Sequence, residues 1–334
     1  MPFVDEILKF KSVSVVGLEK NTGKTETLNY ILRSLSKKDI NIAVTSIGVD
    51  GEQVDSVTNT PKPEINVSSG TVFVTSHQHY YKKKLFAEIL DVSESSTSLG
   101  RLITARALCP GTVLLSGPAN TGGIKALICS MNNYNVKTTI VDGALSRMSL
   151  ASPTVTEAMV LATGAAVSAN MPQLIRKMIF TKRLIELYKV SDTLAKKLEK
   201  VKKGLWAVDD NEELHDLKIP SVFLLEKHKE ELFRYGNRIY VSGAIGSQLL
   251  QFLRMQNRNI ELIVQDFTKI FASQEEYEGF VRRGNSIKVV YNTKLIAVTA
   301  NPTSPTGFSF DSEMLCGELS EALQIPVYDV KKLN

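Results

Sequence analysis

Short, nearly all-apolar runs alternate along the chain with stretches in which apolar positions return every three or four residues. Residues 12–16 (SVSVV) form a β-branched run suited to a buried strand. Over residues 25–35, Leu28, Ile31, Leu32 and Leu35 share one helical face. Further strands are predicted over 41–45 (NIAVT), 71–75 (TVFVT), 112–116 (TVLLS), 137–141 (KTTIV) and 165–168. A helix is predicted from Thr121, carrying Ile124, Leu127, Ile128 and Met131. Strands covered on both faces lose the polar alternation of half-exposed ones, so these runs suit parallel strands packed under helices. The expected fold class is α/β, with a doubly wound, mostly parallel sheet.

From 172 to 203 the pattern is helical and rich in Lys and Arg. It carries an apolar stripe of Leu174, Ile175, Met178 and Ile179, then Leu184, Ile185 and Leu187. After a turn at Gly204 the alternation resumes. Strands are predicted over 222–225, 238–241 and 261–264, and helices over 247–254 and 275–282. A strand pair is predicted over 288–291 and 295–299, across Asn292-Thr293. A helix over 311–323, N-capped by Asp311, and a strand over 326–330 follow. The expected division is a first domain over 1–180, a basic helical connector over 181–204, and a second, smaller α/β domain over 205–334.

The length of 334 residues suits two domains. With 43% apolar and 22% charged residues the composition is that of an ordinary globular protein. A net charge of +5 is too small for this length to argue for nucleic acid. The basic runs YYKKK at 80–84 and Lys196-Lys197 to Lys202-Lys203 read as solvated helix faces. Cys109, Cys129 and Cys316 show no paired spacing and lie in apolar contexts, which suits small core residues in a reducing cytoplasm. Residues 1–20 lack a basic start followed by an apolar run, and no apolar stretch approaches the ~20 residues of a membrane helix. The chain is expected to be cytoplasmic, with neither nucleic acid nor membrane as partner.

The first strand runs into GLEKNTGKTE, Gly17 to Glu26. Strand, glycine-led loop and helix in that order form the context in which backbone N–H groups cradle phosphate. Gly23 lets the backbone approach an anion, and the helix start offers unpaired N–H groups and a positive dipole end. Lys24 is placed to reach the terminal phosphates and the Thr25 hydroxyl to meet Mg²⁺. Gly17, Asn21, Thr22 and Glu26 complete the expected nucleotide lining. The common form has four residues between its glycines; here there are five, Leu18, Glu19, Lys20, Asn21 and Thr22. The other reading is an ordinary turn capped by Thr22.

In sheets of this class, ligands gather at the carboxyl ends of the strands. After the second strand, TSIGVDGEQVD holds Asp50 and Glu52 between tight glycine turns. These carboxylates are candidate Mg²⁺ ligands and, with Lys24, candidate catalytic groups, either of which would orient an attacking group; an exposed acidic turn is the alternative. Gly48 to Asp55 is the candidate switch segment. Asp142 ends an apolar strand, where phosphate-loop enzymes place an acidic Mg²⁺ anchor; a turn cap is the alternative. Arg147 follows as a possible phosphate contact or a surface residue. SGPANTGGIK, 116–125, is either a second anion cradle or a plain helix cap. His77 and His79, alternating on a strand, would point the same way toward a metal. Asn301, in TANPTSP, is a candidate contact to a base or substrate. The guanine-reading quartet N/T-K-x-D does not occur, which favours ATP.

The loop GLEKNTGKT, with its five-residue gap, resembles dethiobiotin synthetase and the cobyrinic acid amide-forming synthetases. Their class also includes metallochaperone GTPases and the nitrogenase iron protein. That resemblance covers the loop and the Asp142-Gly143 turn, and implies the phosphate role for Lys24 and the Mg²⁺ role for Thr25. Dethiobiotin synthetase has Thr-Asp-Thr where this chain has Leu18-Glu19-Lys20. The whole chain resembles a clostridial-type family through KNTGKTETLNY, TSIGVDGE, PKPEI, VDGALSR, ATGAAVS and VTANPTSPTGFSFDS. That resemblance implies a subunit of the reactivating factor for lysine 5,6-aminomutase, an adenosylcobalamin enzyme of lysine fermentation. It implies ATP-driven release of damaged cobalamin, with a larger ATPase subunit and the mutase as partners.

Three functions follow from these residues. The first is a Mg-ATP-driven switch that remodels another protein, its loops ordered by the γ-phosphate and released on hydrolysis. The second is a small-molecule ligase or kinase of the dethiobiotin synthetase type. The third is a non-hydrolysing nucleotide-binding scaffold subunit.

Overall fold

The computed structural model describes residues 2–48, 64–144, 155–219, 221 and 224–333. Its largest sheet has nine strands. In chain order they are β1 (Ser12–Gly17), β2 (Ile42–Ser46), β3 (Val72–Ser76), β4 (Ala87–Thr97), β5 (Gly100–Ala107), β6 (Thr138–Ala144), β7 (Ala158–Gly164), β8 (Lys294–Asn301) and β9 (Val327–Tyr328). Across the sheet they run β9-β8-β7-β1-β6-β2-β3-β5-β4. Neighbours from β9 to β3 are parallel; β5 pairs antiparallel with both β3 and β4. The fold is thus mixed α/β around a large, mostly parallel sheet.

Alternation along the strands sorts their side chains onto two faces. Val13, Val15, Val44, Phe73, Ile140 and Val160 form one core with Leu28, Ile31 and Leu35 of the helix Lys24–Ser36. Their neighbours in sequence take the other side: Ala43, Val72 and Val74 meet Met131, while Val141 meets Ile124 of the helix Thr121–Ser130. Covering both faces explains why every residue of β1, β2, β3 and β7 is buried.

The chain divides into two compact units. One holds residues 1–179 and 293–334, the other residues 180–292, and the division falls inside the helix Met171–Ile185. The boundaries expected from the sequence, with residues 205–334 as one C-terminal domain, are corrected accordingly. Residues 294–301 do not pair with residues 286–289. They form β8, which lies parallel to β7 in the large sheet, and Asn292-Thr293 marks the return to the first unit rather than a hairpin turn. The second unit has a five-stranded sheet ordered Leu214–Asp216, Leu205–Val208, Arg238–Val241, Glu261–Val264 and Ser286–Val289. Its last three strands are parallel.

Other elements differ from the sequence pattern. Of the 112–116 run only Thr112 and Val113 are strand; they belong to Gly111–Val113, which pairs antiparallel with Ile65–Val67 outside the large sheet. Val113, Leu115 and Ser116 are buried all the same, so burial rather than a strand of the large sheet makes the run apolar. The 165–168 run is the turn after β7, closed by the Val167 N–H on the Gly164 carbonyl. The cysteines are not core residues: Cys129 is exposed and the other two are half-buried. No helix among the described residues is long and apolar enough to cross a membrane.

Candidate functional site

β1 ends at Gly17, and residues 18–23 carry the chain to the helix Lys24–Ser36. The two glycines are required by contact and conformation. A Cβ on Gly17 would lie 2.7 Å from Thr22 Oγ1 and 3.2 Å from the Glu19 carbonyl oxygen. Gly23 has φ +83°, in the left-handed region that favours glycine, and a Cβ there would lie 3.0 Å from Asn301 Cβ. Asn21 is also left-handed, with φ 62°. The Thr22 hydroxyl turns back into the loop and donates to the Glu19 carbonyl at 2.9 Å. Gly23, not Thr22, is therefore the N-cap, and among the described residues no side chain caps the helix start. The backbone donors of a first turn lack intrahelical partners, so this start is open to an external acceptor.

The helix Thr121–Ser130 makes the contrast. Its N-cap Asn120 accepts from the Gly123 N–H at 2.7 Å. Of the two readings of 116–125, the plain cap is the one observed.

Parallel pairing of β1 with β6 places Val15 opposite Asp142. Lys24 Nζ lies 2.8 Å from Asp142 Oδ1, with both side chains largely buried. This oxygen is buried and has no aligned hydrogen-bond donor among the described residues, so the contact is a close ion pair rather than a directed hydrogen bond. The Asp142 carbonyl accepts from the Ile47 N–H at 3.2 Å and the Ser46 hydroxyl at 3.4 Å, which brings the end of β2 to the same place. That end is clasped in turn by residues 116–118. Gly48 N–H donates to the Pro118 carbonyl and Gly117 N–H to the Gly48 carbonyl, each at 3.0 Å. A Cβ on Gly117 would lie 1.8 Å from the Ser46 carbonyl oxygen, so only glycine permits the clasp.

Gly17, Asn21, Thr22, Gly23, Lys24, Thr25 and Glu26 thus belong to one strand–loop–helix element, and Asp142 faces Lys24 across it. Asp50, Glu52, Gly51 and Arg147 lie outside the described residues. The two histidines are not on a strand. They occupy the short helix His77–Tyr80, where buried His79 places Nδ1 2.9 Å from Ser116 Oγ and His77 meets the Tyr81 ring edge-on. No group of three or more His, Cys, Asp or Glu side chains placed to hold a metal occurs among the described residues.

Two residues that the motif does not name also support the helix start. The Thr27 and Thr299 hydroxyls are 2.8 Å apart and buried, although 272 residues separate them in sequence. No local spacing could have signalled that pair. A narrow groove beside Gly23 is walled by Glu26, Thr27, Asn301 and Lys331. Along the outer face of the same helix runs a cleft of about 680 Å³, lined by Glu26, Asn29, Arg33, Asn66, Ser68 and Lys331. Asn29 fixes its wall, donating to the Glu64 carbonyl at 3.1 Å and accepting from the Asn66 N–H at 3.0 Å.

The donor set suits an anion and a hard cation. An uncapped helix start beside a lysine attracts phosphate. A carboxylate oxygen without an aligned donor and a threonine hydroxyl are the oxygen ligands Mg²⁺ prefers. No protein-family model matches the chain, and no curated protein or solved structure matches it either.

Proposed function

We propose that the chain binds Mg²⁺–nucleotide, ATP in preference to GTP, on the loop of residues 17–26, and works as an ATPase subunit of a factor that reactivates an adenosylcobalamin-dependent aminomutase. The observation that carries the nucleotide reading is the Lys24–Asp142 pair at 2.8 Å beside an uncapped helix start. Phosphate would take over Lys24 Nζ. That would leave the Asp142 carboxylate, with the Thr25 hydroxyl, to hold Mg²⁺ directly or through water. Asp50 and Glu52 are proposed as the further carboxylates of the site. The reactivating role, its cytoplasmic setting and its partners, a larger ATPase subunit and the mutase, rest on the motifs quoted above.

Phosphate release from ATP and from GTP, measured with Mg²⁺ for the wild type beside Lys24→Ala, tests the reading. ATP turnover that vanishes in the variant, and rises when the mutase is added, is the expected result. Binding of ATP that is lost in Lys24→Ala without any turnover would favour a nucleotide-binding scaffold. Equal nucleotide affinity in both proteins would sink the site.

The cleft beside Glu26 favours one alternative, a ligase or synthetase whose small-molecule substrate lies along the Lys24–Ser36 helix. Phosphate release that requires an added metabolite, and not a protein, would select it.

A further inference from the structure

Asn301 ends β8, far from the phosphate-type loop in sequence. Its amide group is almost fully engaged. Nδ2 donates to the Asn21 carbonyl at 2.9 Å and to the Thr303 carbonyl at 3.0 Å, and Oδ1 accepts from the Thr303 N–H at 3.3 Å. Both amide hydrogens are therefore used by the protein itself. Two carbonyls face Nδ2 and one N–H faces Oδ1, so the network also fixes which way the amide points.

The backbone of Asn301 is anchored as firmly. Its carbonyl accepts from the Ala165 N–H at 2.9 Å. Gly164, with φ +146°, lets the two strand ends meet there, since a Cβ on it would lie 2.0 Å from that carbonyl oxygen. On the other side, Asn301 Cβ fills the space in front of Gly23. The side chain thus reaches from a strand end paired in the sheet to the one non-glycine residue of the loop held in the left-handed region, Asn21. A left-handed residue without support relaxes toward the ordinary regions, and the loop would lose its curvature.

We infer that Asn301 is a positioning residue that clamps the Asn21 peptide and so holds the phosphate cradle open, rather than a contact to the base or substrate. This rests on the nucleotide reading for its purpose but not for its geometry. With both amide hydrogens spent on backbone carbonyls, Asn301 cannot make the paired donor-and-acceptor contact by which an amide reads adenine.

The test uses the full-length chain with Asn301→Asp, which keeps the shape but puts an acceptor against two carbonyls, and Asn301→Ala, which removes the amide without adding charge. Three quantities are measured: melting temperature, amide hydrogen exchange over residues 18–25, and affinity for Mg-ATP. Melting within a few degrees of wild type, faster exchange confined to the loop and about tenfold weaker Mg-ATP binding are expected. If the wild type binds no nucleotide but both variants still speed loop exchange, the clamp stands and the nucleotide reading falls. If affinity drops while loop exchange is unchanged, Asn301 touches the ligand and the inference is overturned. It is equally overturned if neither quantity moves, or if exchange rises throughout the unit together with early melting.

Discussion

Gly23 carries two constraints at once, a left-handed φ of +83° and a Cβ position 3.0 Å from Asn301 Cβ. An L side chain in that region costs about 1–2 kcal/mol. Gly23→Ala is therefore expected to lower stability by roughly that amount in urea unfolding and, on the proposed nucleotide reading, to weaken nucleotide binding because the added methyl and Asn301 must move apart. Unchanged stability would mean the loop relaxes without strain. A different constraint governs Tyr240. Burial, and secondarily the Asp266 carboxylate, push its phenol up to about 12. A group whose folded value lies above its unfolded value contributes stability that is complete below about pH 10 and fades as pH rises through its folded value. The loss is on the order of 2 kcal/mol between pH 10 and 12. Trp206, the one tryptophan of the chain, lies opposite Tyr240 in the paired strand and reports unfolding of this unit by fluorescence. Tyr240→Phe should flatten the alkaline slope; slopes that match the wild type would refute the assignment. At this scale the sequence shows residues that act locally. Lys24 and Asp142 could be marked because a strand end and a helix start announce their places. Thr27 with Thr299, and Asn21 with Asn301, could not, because each pairing is made by β8 crossing into the sheet.

Elements were legible where apolar spacing and burial agree. The helix Lys24–Ser36 shows its buried face in Leu28, Ile31, Leu32 and Leu35, all at or near zero exposure. Leu28→Ala is expected to cost about 2–5 kcal/mol by opening a cavity under it, a loss that a urea midpoint shift at unchanged slope would display. The edge strand β4 shows the opposite case. Glu88, Asp91 and Glu94 are exposed along it, so no apolar run marked it as strand. The run 112–116 shows the other case: Val113, Leu115 and Ser116 are buried, yet only Thr112 and Val113 join a ladder, and that ladder lies outside the large sheet. Helix starts are more legible because they are chemical. In the second unit Ser273 and Glu276 form a capping box around the helix Gln274–Val281, with the Ser273 N–H donating to Glu276 Oε2 at 2.9 Å. The same carboxylate accepts from the Ser247 hydroxyl at 2.6 Å, which with the Ser273 bonds holds it below the usual carboxylate range. Ser273→Ala should destabilise this unit by about 1 kcal/mol, again followed at Trp206.

The whole molecule is organised by a chain that leaves its first unit and returns to it. Linear reading places a boundary near 205 because an α/β rhythm resumes there, and rhythm carries no information about which sheet a strand joins. β7 decides the matter. All seven of its residues are buried between β1 and β8, so without residues 293–334 it becomes an exposed apolar edge. The same deletion removes Ala297 and Val330 from the core of the first unit, the Thr299 partner of Thr27, and the Asn301 clamp. Residues 180–292, by contrast, hold their own sheet and the core of Val190, Leu194, Val208, Tyr240 and Ile263. Two ways of cutting the chain therefore separate the two descriptions. Residues 180–292 expressed alone are expected to unfold in one cooperative transition seen at Trp206. Residues 1–204 and 205–334 are each expected to lack one, because the first lacks β8 and β9 and the second lacks Val190, Leu194, Ala195 and Leu198 from its core. Cooperative folding of both 1–204 and 205–334 would restore the linear division and remove the basis for placing Asn301 beside the loop.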